Sequence, residues 1–304
     1  MNPLISVIIP LYNHQNYILS AINSVFDQDI DQVELIVIND GSTDQSDNII
    51  RQNLNSFKQN ITYVNQENRG AHNAINRGIL MAQGKYLSIL NSDDQYKKNR
   101  FRFFLDEFDK DPDLEVVFSD MEFIDDINRN INNVWYKEAK EFYNQIGDLS
   151  LALMKGNFLL TTSNLFIKRN IFNQTGYFQN LRYAHDLDFF LKLIQINKKI
   201  KIIDTPLLNY RMHSSNTINE NQQKVRIECG AIIANFLAKY LSSPAFNDKN
   251  KVEFIQQLTQ LLQERNLMNL VFYFIGIYNK TPEDNYYNLI SNLIKNDFDQ
   301  LVTL

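Results

Sequence analysis

Two adjacent carboxylates, Asp93 and Asp94, follow a run of apolar residues that is typical of a buried strand. Hard divalent cations prefer oxygen ligands, and Mg²⁺ or Mn²⁺ commonly binds one or two carboxylates together with the phosphates of a substrate. The pair could therefore hold a metal ion that neutralises a diphosphate. Asp-rich turns are also common as solvated helix caps, so the pair alone leaves both interpretations open.

Several other kinds of site lack their sequence patterns. The first apolar segment continues into Pro10-Leu11-Tyr12-Asn13-His14, which is not the glycine-rich turn of a dinucleotide site, and the Walker phosphate loop is absent. The four histidines form no H-E-x-x-H motif, which argues against a preformed zinc site. The single cysteine, Cys229, excludes an internal disulfide and C-x-x-C motifs, and this fits a reducing compartment.

The elements that position these carboxylates alternate along the first half of the chain. Strands are predicted at 4–10, 33–38, 61–64, 86–90 and 116–119, with helices at 17–26, 42–54, 71–83 and 101–108. The second helix is predicted to start at Ser42, which forms a capping-box pattern with Gln45. Such strand–helix–strand units predict a parallel sheet covered by helices, with ligands at the carboxyl ends of its strands. The polar clusters 39–41 and 91–94 both fall at such ends.

The second half of the chain is less regular and then becomes helical. Residues 124–147 lack a clear pattern; strands are predicted at 165–167, 200–203 and 207–211, and helices at 148–154 and 186–196. Beyond about residue 215 only helices are predicted, at 224–240, 249–263, 266–278 and 283–295. We therefore expect one domain at 1–215 and a helical C-terminal extension at 216–304.

Composition and charge limit the classes of molecule that this protein could bind. The chain has 304 residues, 44% of them apolar and 21% charged, which is ordinary for a globular protein. A formal net charge of -5 disfavours nucleic acid as the main partner. No secretory signal is recognisable, and no apolar run reaches the ~20 residues that a bilayer span requires. We expect a cytoplasmic protein and leave open a contact with the inner face of the membrane.

A series of motifs gives the sequence its most specific signal. In order they are 6–13 (SVIIPLYN), 34–44 (ELIVINDGSTD), 68–70 (NRG), 76–79 (NRGI), 82–86 (AQGKY) and 91–94 (NSDD). Over roughly the first 110 residues this series resembles the family 2 inverting glycosyltransferases, which have the GT-A nucleotide-sugar-binding fold, a Rossmann-like and mostly parallel sheet flanked by helices. Residues 185–188 (HDLD) are similar to the acidic base motif of that family, and 210–213 (YRMH) to a motif near the end of its catalytic domain.

The resemblance implies roles on the donor side. Tyr12 would lie against the nucleobase, Asp40 would contact the uracil or nucleoside, and Arg77 would lie near the nucleotide. The positions implied to bind the nucleotide sugar are Pro10, Tyr12, Asn13, Asp40, Arg77, Asn91, Ser92, Asp93 and Arg211. Metal ligands are implied at Asp94, Asp93 and His213, with Mn²⁺ or Mg²⁺ as the ion. The family commonly has an aspartate where this chain has Asn91, which leaves the division of labour among residues 91–94 open.

The resemblance also implies a general base. Inverting transfer needs a carboxylate that removes a proton from the acceptor hydroxyl, and it must lie within about 2.6–3.2 Å of that proton's oxygen or act through one water. The register of the motif favours Asp186, with Asp188 as the competing candidate. His185 stands where the family often has an acidic residue. Trp135 lies in the irregular middle segment, where acceptor loops are expected, although a buried packing role is the favoured interpretation.

Together these observations predict an inverting glycosyltransferase that moves a sugar from a nucleoside diphosphate to a hydroxyl acceptor in surface polysaccharide or lipopolysaccharide synthesis. The resemblance implies uridine diphosphate as the nucleotide. The partners would be this donor and a glycan or lipid-linked saccharide acceptor. A homodimer and a peripheral membrane contact remain open. The alternative is a catalytically silent subunit that binds a nucleotide sugar or glycan, an interpretation that Asn91 supports. A nucleotidyltransferase is disfavoured, because residues 11–14 lack the glycine-rich basic loop of that chemistry.

Overall fold

A mixed β-sheet organises the first half of the computed structural model, which describes residues 3–57, 61–247 and 250–304. The chain divides into two compact units. The sheet unit comprises Met1–Asn132, Thr161–Tyr177 and Lys199–His213, and the helical unit comprises Asn133–Leu160, Phe178–Lys198 and Ser214–Leu304. The helical unit thus includes two internal segments as well as the C-terminal residues. The predicted boundary at residue 215, between a catalytic domain and a helical extension, stays a prediction.

The described residues form nine strands and fourteen α-helices. The strands are β1 (Ile5–Leu11), β2 (Val33–Asp40), β3 (Ile61–Gln66), β4 (Tyr86–Ile89), β5 (Gln95–Tyr96), β6 (Val116–Ile124), β7 (Asn130–Ile131), β8 (Phe166–Lys168) and β9 (Ile200–Arg211). The helices are α1 (Ile18–Phe26), α2 (Ser46–Asn53), α3 (Ala71–Met81), α4 (Arg100–Lys110), α5 (Val134–Ile146), α6 (Leu149–Lys155), α7 (Phe172–Thr175), α8 (His185–Gln195), α9 (Gln222–Tyr240), α10 (Pro244–Asn247), α11 (Lys251–Glu264), α12 (Met268–Tyr278), α13 (Glu283–Asn296) and α14 (Phe298–Val302).

The sheet has the strand order β3-β2-β1-β4-β8-β6-β9-β5, and β7 pairs with β6. The first four strands in this order are parallel, as the alternating strand and helix signals predict. β8 then runs antiparallel to both β4 and β6, and β6 is parallel to β9. The predicted α/β fold class, with flanking helices and a helical C-terminal part, is confirmed.

Strand β1 lies at the centre of the parallel region and is buried along its whole length. Its near-continuous apolar sequence is what a strand covered on both faces requires. Helix α3 approaches it closely at Gly78, where an added Cβ would lie only 2.4 Å from Cγ2 of Ile8. This approach depends on glycine, because any larger side chain would push the helix away from the strand.

Three local predictions are wrong. Helix α2 begins at Ser46 and not at Ser42, because the Ser42 hydroxyl bonds to Asn39 while Asp44 accepts the Ser46 N–H. Residues 124–147 are not irregular throughout, since they contain α5, which is capped by the Asn133 side chain accepting the Tyr136 N–H. The two strands predicted at 200–203 and 207–211 are one continuous strand, β9, with a register irregularity opposite Ser119–Met121.

The core of the helical unit forms around α9, whose residues from Ile227 to Leu237 are almost entirely buried. It packs against α8 and α12. The predicted helices of the C-terminal part are all present, although the start predicted at Lys249 lies outside the described residues and α11 begins at Lys251. No helix among the described residues is both long and apolar enough to cross a membrane.

Candidate functional site

The carboxyl ends of β1, β2 and β4 meet at one edge of the sheet, because these strands are parallel neighbours. The loop after β1 is tied to the loop after β2 at Asn13, whose φ is 55°, a left-handed value that asparagine tolerates. Its backbone N–H donates to Ser42 Oγ at 3.0 Å, and its Oδ1 accepts the Thr43 N–H at 2.7 Å. Asn13 therefore fixes the position of the next residue, His14.

Three side chains that could bind a metal ion converge at this edge: His14, Asp93 and His213. One potential ligand atom from each lies within 4.8 Å of the other two. Asp93 Oδ2 is 3.0 Å from His213 Nε2 and 3.9 Å from His14 Nε2. Asp93 and His213 are two of the three predicted metal ligands; Asp94, the third, is not among the three side chains that converge here, and its metal role stays a prediction. His14 was not predicted as a ligand, although its place directly after the Asn13 of the first motif could have indicated it.

The donor set of this cluster fits a divalent transition metal. Imidazole nitrogen and carboxylate oxygen together suit ions of the Mn²⁺ to Zn²⁺ series. Ser92 Oγ lies 2.7 Å from His14 Nδ1, so a proton on Nδ1 can be donated to the serine, which leaves the Nε2 lone pair directed toward Asp93. Outer-shell bonds of this type orient histidine ligands at metal sites. Ser92 therefore orients His14, one of the three possible metal ligands, and is not a member of the cluster itself.

Asp93 and Asp94 differ in their partners and in their electrostatics. Asp94 is 1% exposed, and its two oxygens accept hydrogen bonds from Ser163 Oγ at 2.6 Å and from the Arg211 N–H at 2.9 Å. Burial, together with the neighbouring charge of Asp93, raises the pKa of Asp94. Burial would likewise raise the pKa of Asp93, but the hydrogen bond with His213 and the imidazoles hold it below its usual value. Asp93 is thus the member of the pair that faces the two imidazoles as a carboxylate.

The Arg211 guanidinium is 1% exposed and bonds within the protein. Nε donates to the Asp93 carbonyl at 2.8 Å, and the terminal nitrogens donate to the Asp125 carbonyl and to Asn128 Oδ1. The guanidinium also lies over the ring of Tyr17, 4.8 Å from its centroid. These contacts hold the backbone of Asp93, and the predicted contact of Arg211 with the nucleotide sugar stays a prediction.

Asn91 and Asp40 also anchor loops at this edge. The Asn91 amide donates to Thr161 Oγ1 at 2.9 Å and accepts from Thr162 Oγ1 at 3.1 Å. Asp40 is 3% exposed, and its oxygens accept the N–H groups of Arg69 and Gly70 at 2.9 and 2.8 Å. Both side chains therefore connect neighbouring segments, and their predicted contacts with the nucleotide sugar stay predictions.

The remaining predicted donor-side residues lie outside this cluster. Pro10 is buried within β1, next to the strand end. Tyr12 is 41% exposed, which leaves its ring available to a nucleobase. The Arg77 guanidinium donates to Gln66 Oε1 at 3.0 Å on the surface of α3. Their predicted roles are likewise untested.

The predicted base Asp186 belongs to the helical unit, in the first turn of α8. Its Oδ1 accepts the backbone N–H of Leu187 at 2.7 Å, and its Oδ2 accepts a hydrogen bond from Asn157 Nδ2 at 3.1 Å. Burial is the main reason that the pKa of Asp186 is raised to about 7, and the charge of Glu228 adds to it, against the opposing hydrogen bonds. A carboxyl group with such a pKa can serve as a general base near neutral pH.

The competing candidate Asp188 has a different environment. It accepts a hydrogen bond from the Tyr287 hydroxyl at 2.8 Å, and burial raises its pKa to about 6. Trp135 of α5 is 46% exposed, so the expectation that it is buried is wrong. It lies against Gly156, where an added Cβ would be 3.0 Å from Cζ2 of the indole.

Comparison with known proteins places this arrangement among sugar-transferring enzymes. The model of the family described as Glycosyl transferase family 2 matches residues 6–176. An uncharacterised glycosyltransferase of Rickettsia prowazekii, RP339, is 33% identical over 224 residues, which are 72% of this chain and 67% of that protein.

Two solved structures share the fold at low sequence identity. TarS 1–349 of S. aureus, in complex with UDP-GlcNAc, has a TM-score of 0.59 and 19% identity, with 96% of this chain and 91% of that chain covered. The mannosyltransferase PcManGT of Pyrobaculum calidifontis, in complex with GDP-Man and Mn²⁺, has a TM-score of 0.61 and 16% identity, with coverage of 100% and 84%.

Proposed function

The chain belongs to glycosyl transferase family 2, and from that premise we propose that it catalyses inverting transfer of a sugar from a nucleoside-diphosphate sugar to a hydroxyl acceptor. The proposed donor is a UDP-sugar, which the UDP-GlcNAc complex of a structural neighbour supports. The proposed acceptor is a hydroxyl of a growing surface polysaccharide or lipopolysaccharide. This part of the proposal is supported by the resemblance of the motifs.

The observation that carries the proposal is the convergence of His14, Asp93 and His213 at the sheet edge. These three side chains would hold the divalent cation, with Asp94 supporting Asp93 from the buried side. When bound, the cation offsets the negative charge of the departing diphosphate. Mn²⁺ is favoured over Mg²⁺ because Mg²⁺ takes oxygen ligands in preference to imidazole nitrogen.

Asp186 is the proposed general base. Its carboxylate removes the proton from the acceptor hydroxyl while the hydroxyl oxygen forms a bond to the anomeric carbon. The bond between that carbon and the diphosphate oxygen breaks, and the diphosphate leaves with the bonding electron pair. Attack on the face opposite the diphosphate inverts the configuration. The pKa of about 7 supports this role, since such a carboxyl group both ionises and accepts a proton near neutral pH.

Calorimetric titration with UDP tests the donor site, with GDP as the competing nucleotide. Wild type is expected to bind UDP more tightly with Mn²⁺ than without it. Asp93→Ala should abolish this metal dependence, and His14→Ala should weaken it by about tenfold or more. His72→Ala is the matched control, because His72 lies in the same unit, on α3, outside the cluster. Metal-independent UDP affinity in wild type would contradict the metal role.

Turnover distinguishes the enzyme from a silent binding subunit. The release of UDP from a panel of UDP-hexoses and UDP-N-acetylhexosamines is measured with oligosaccharide acceptors, and the anomeric configuration of the product is determined by NMR. We expect an inverted product and a loss of about 10³-fold or more in Asp186→Asn, with donor binding retained. Donor binding without turnover in wild type would favour the silent subunit. A retained anomeric configuration would refute the inverting mechanism.

A further inference from the structure

A buried carboxylate of α9, Glu228, is bonded to the backbone just before the helix that carries the proposed base. Glu228 is 2% exposed. Its Oε1 accepts the Arg182 N–H at 2.9 Å, and its Oε2 accepts the N–H groups of Tyr183 and Ala184 at 2.6 and 2.8 Å. One side chain thus holds three consecutive backbone N–H groups, and the last of them lies two residues before Asp186.

These bonds fix the backbone at the N-terminal cap position of α8 and at the two residues before it. The first N–H groups of a helix have no partner within the helix and usually bond to a capping side chain. The cap position of α8 is Ala184, which has no side-chain acceptor, and no side-chain cap bond is formed there. Glu228 binds the Ala184 N–H and the two before it from a helix more than forty residues away in sequence. The entry of the chain into α8 is therefore set by α9.

The same carboxylate has an energetic effect on the base. Its negative charge is one of the influences that raise the pKa of Asp186, after burial. Burial likewise raises the pKa of Glu228, against its three backbone bonds, and the charge of Asp188 adds to this. The Arg182 side chain is paired with a different carboxylate, that of Glu220. Both carboxylate oxygens of Glu228 thus accept hydrogen bonds from the backbone, and its charge lies near the proposed base.

We propose that Glu228 is a positioning residue for the general base, holding residues 182–184 so that Asp186 enters the first turn of α8 in a fixed orientation. This inference rests on the proposed function of Asp186 as the base. It gives the C-terminal helical segment a role in the reaction, because α9 lies beyond residue 215 and supplies the carboxylate.

Several titratable groups must be considered when pH dependence is used as the test. On α8 they are His185, directly before Asp186, then Asp188, which bonds to Tyr287, and Lys192; on α9 they are Cys229, beside Glu228, and Lys239. The Asp186 carboxyl is contacted directly by Asn157, which is not titratable. Removal of the Glu228 charge is therefore expected to lower the pKa of Asp186. It should also lower the pKa of Cys229, which burial and the Glu228 charge raise to about 11, far above the acidic limb.

The principal test compares Glu228→Gln with Glu220→Gln. The first variant removes the charge and replaces an acceptor oxygen by an NH₂ group that faces backbone donors. The second removes a half-exposed carboxylate that binds the side chain, and not the backbone, of the same Arg182. Glu228→Gln should lower kcat for UDP release between about tenfold and a hundredfold, the range that a displaced catalytic group produces. Glu220→Gln should remain within about twofold of wild type.

Two further readouts separate positioning from a general loss of structure. The acidic limb of the kcat–pH profile should move to lower pH in Glu228→Gln, whereas the KM for the donor should change little. Hydrogen exchange of the amides at 182–184 should accelerate in Glu228→Gln and stay unchanged in Glu220→Gln. Glu228→Asp keeps the charge but has a shorter side chain, so it should lower kcat without moving the acidic limb. It also decides the question if the glutamine variant does not fold.

The failures of the two proposals are distinguishable. If Asp186→Asn is inactive while Glu228→Gln keeps wild-type kcat, acidic limb and amide exchange, the positioning role is wrong and the base assignment stands. If Asp186→Asn keeps wild-type turnover, the base assignment is wrong and the role of Glu228 falls with it. Unchanged amide exchange at 182–184 in both Glu228 variants overturns the inference without any measurement of activity.

Discussion

Replacement of Asp186 by Asn should remove activity and, at alkaline pH, make the helical unit more stable. The carboxyl is 8% exposed, and burial raises its pKa from 3.8 to about 7. The folded chain therefore holds this proton more tightly than the unfolded chain does. The resulting stabilisation is fully present below about pH 4 and is lost as the pH rises through 7.

The size of the effect follows from the two pKa values. A difference of about 3 in pKa corresponds to about 4 kcal/mol, at 1.36 kcal/mol for each pKa unit. Between pH 5 and pH 8 the wild type should lose about 2 to 3 kcal/mol of this contribution, whereas Asp186→Asn has no carboxyl at this position to lose it. Asn keeps an acceptor for the Leu187 N–H. A flip of the Asn157 amide would offer the new amide its Oδ1, a buried oxygen without a hydrogen-bond partner among the described residues.

The assay is urea denaturation at pH 5 and pH 8, followed by the fluorescence of Trp135. This is the single tryptophan of the chain, and it lies in the same unit as Asp186. The unfolding free energy of Asp186→Asn minus that of wild type should increase by about 2 to 3 kcal/mol from pH 5 to pH 8. Parallel pH dependences for the two proteins would refute the claim that Asp186 is buried with a raised pKa.

The remaining predictions concern packing and buried charge. Gly78→Ala should destabilise the chain by about 1 to 3 kcal/mol, because the added Cβ would lie 2.4 Å from Ile8 Cγ2. Gly276→Ala in α12 is the matched variant, because its added Cβ meets nothing within 4 Å. Its stability should rise by up to about 1 kcal/mol. A similar loss of stability in the thermal melts of both variants would contradict the packing argument. Arg100→Lys should cost about 3 kcal/mol or more in urea titrations, because the fully buried guanidinium bonds to Ser119 Oγ and to the carbonyls of residues 163, 164 and 207, four acceptors for the three donors of one ammonium group. An unchanged midpoint would show that those acceptors find other partners.

Local sequence patterns predict the parallel half of the sheet well. Apolar runs of strand length, each closed by polar turn residues, identify β1, β2 and β4, since a strand buried on both faces must be apolar along its length. The edge strand β3 is only half-buried and is predicted from the shorter run 61–64. The positions of α3 and α8 are also predicted closely from periodicity. Helix α5 is missed although Trp135, Ala139, Phe142 and Ile146 recur at helical spacing, a stripe that could have indicated it.

The sequence by itself determined which residue types reach the sheet edge. The order of motifs from 6–13 to 91–94 places polar groups after successive parallel strands, and chain topology requires those ends to meet. It also placed Asp186 at the start of a helix, next to Leu187, whose N–H its carboxylate binds.

Only the tertiary structure decided how these groups share their work. Asp93 and Asp94 are adjacent in sequence, yet one faces two imidazoles while the other is buried against Ser163 and the Arg211 backbone. The contacts of Glu228 with residues 182–184 are equally invisible in the sequence. The physical reason is the same in each case: desolvation and hydrogen bonds from distant segments set the charge and orientation of a carboxylate, and no local pattern encodes those distances.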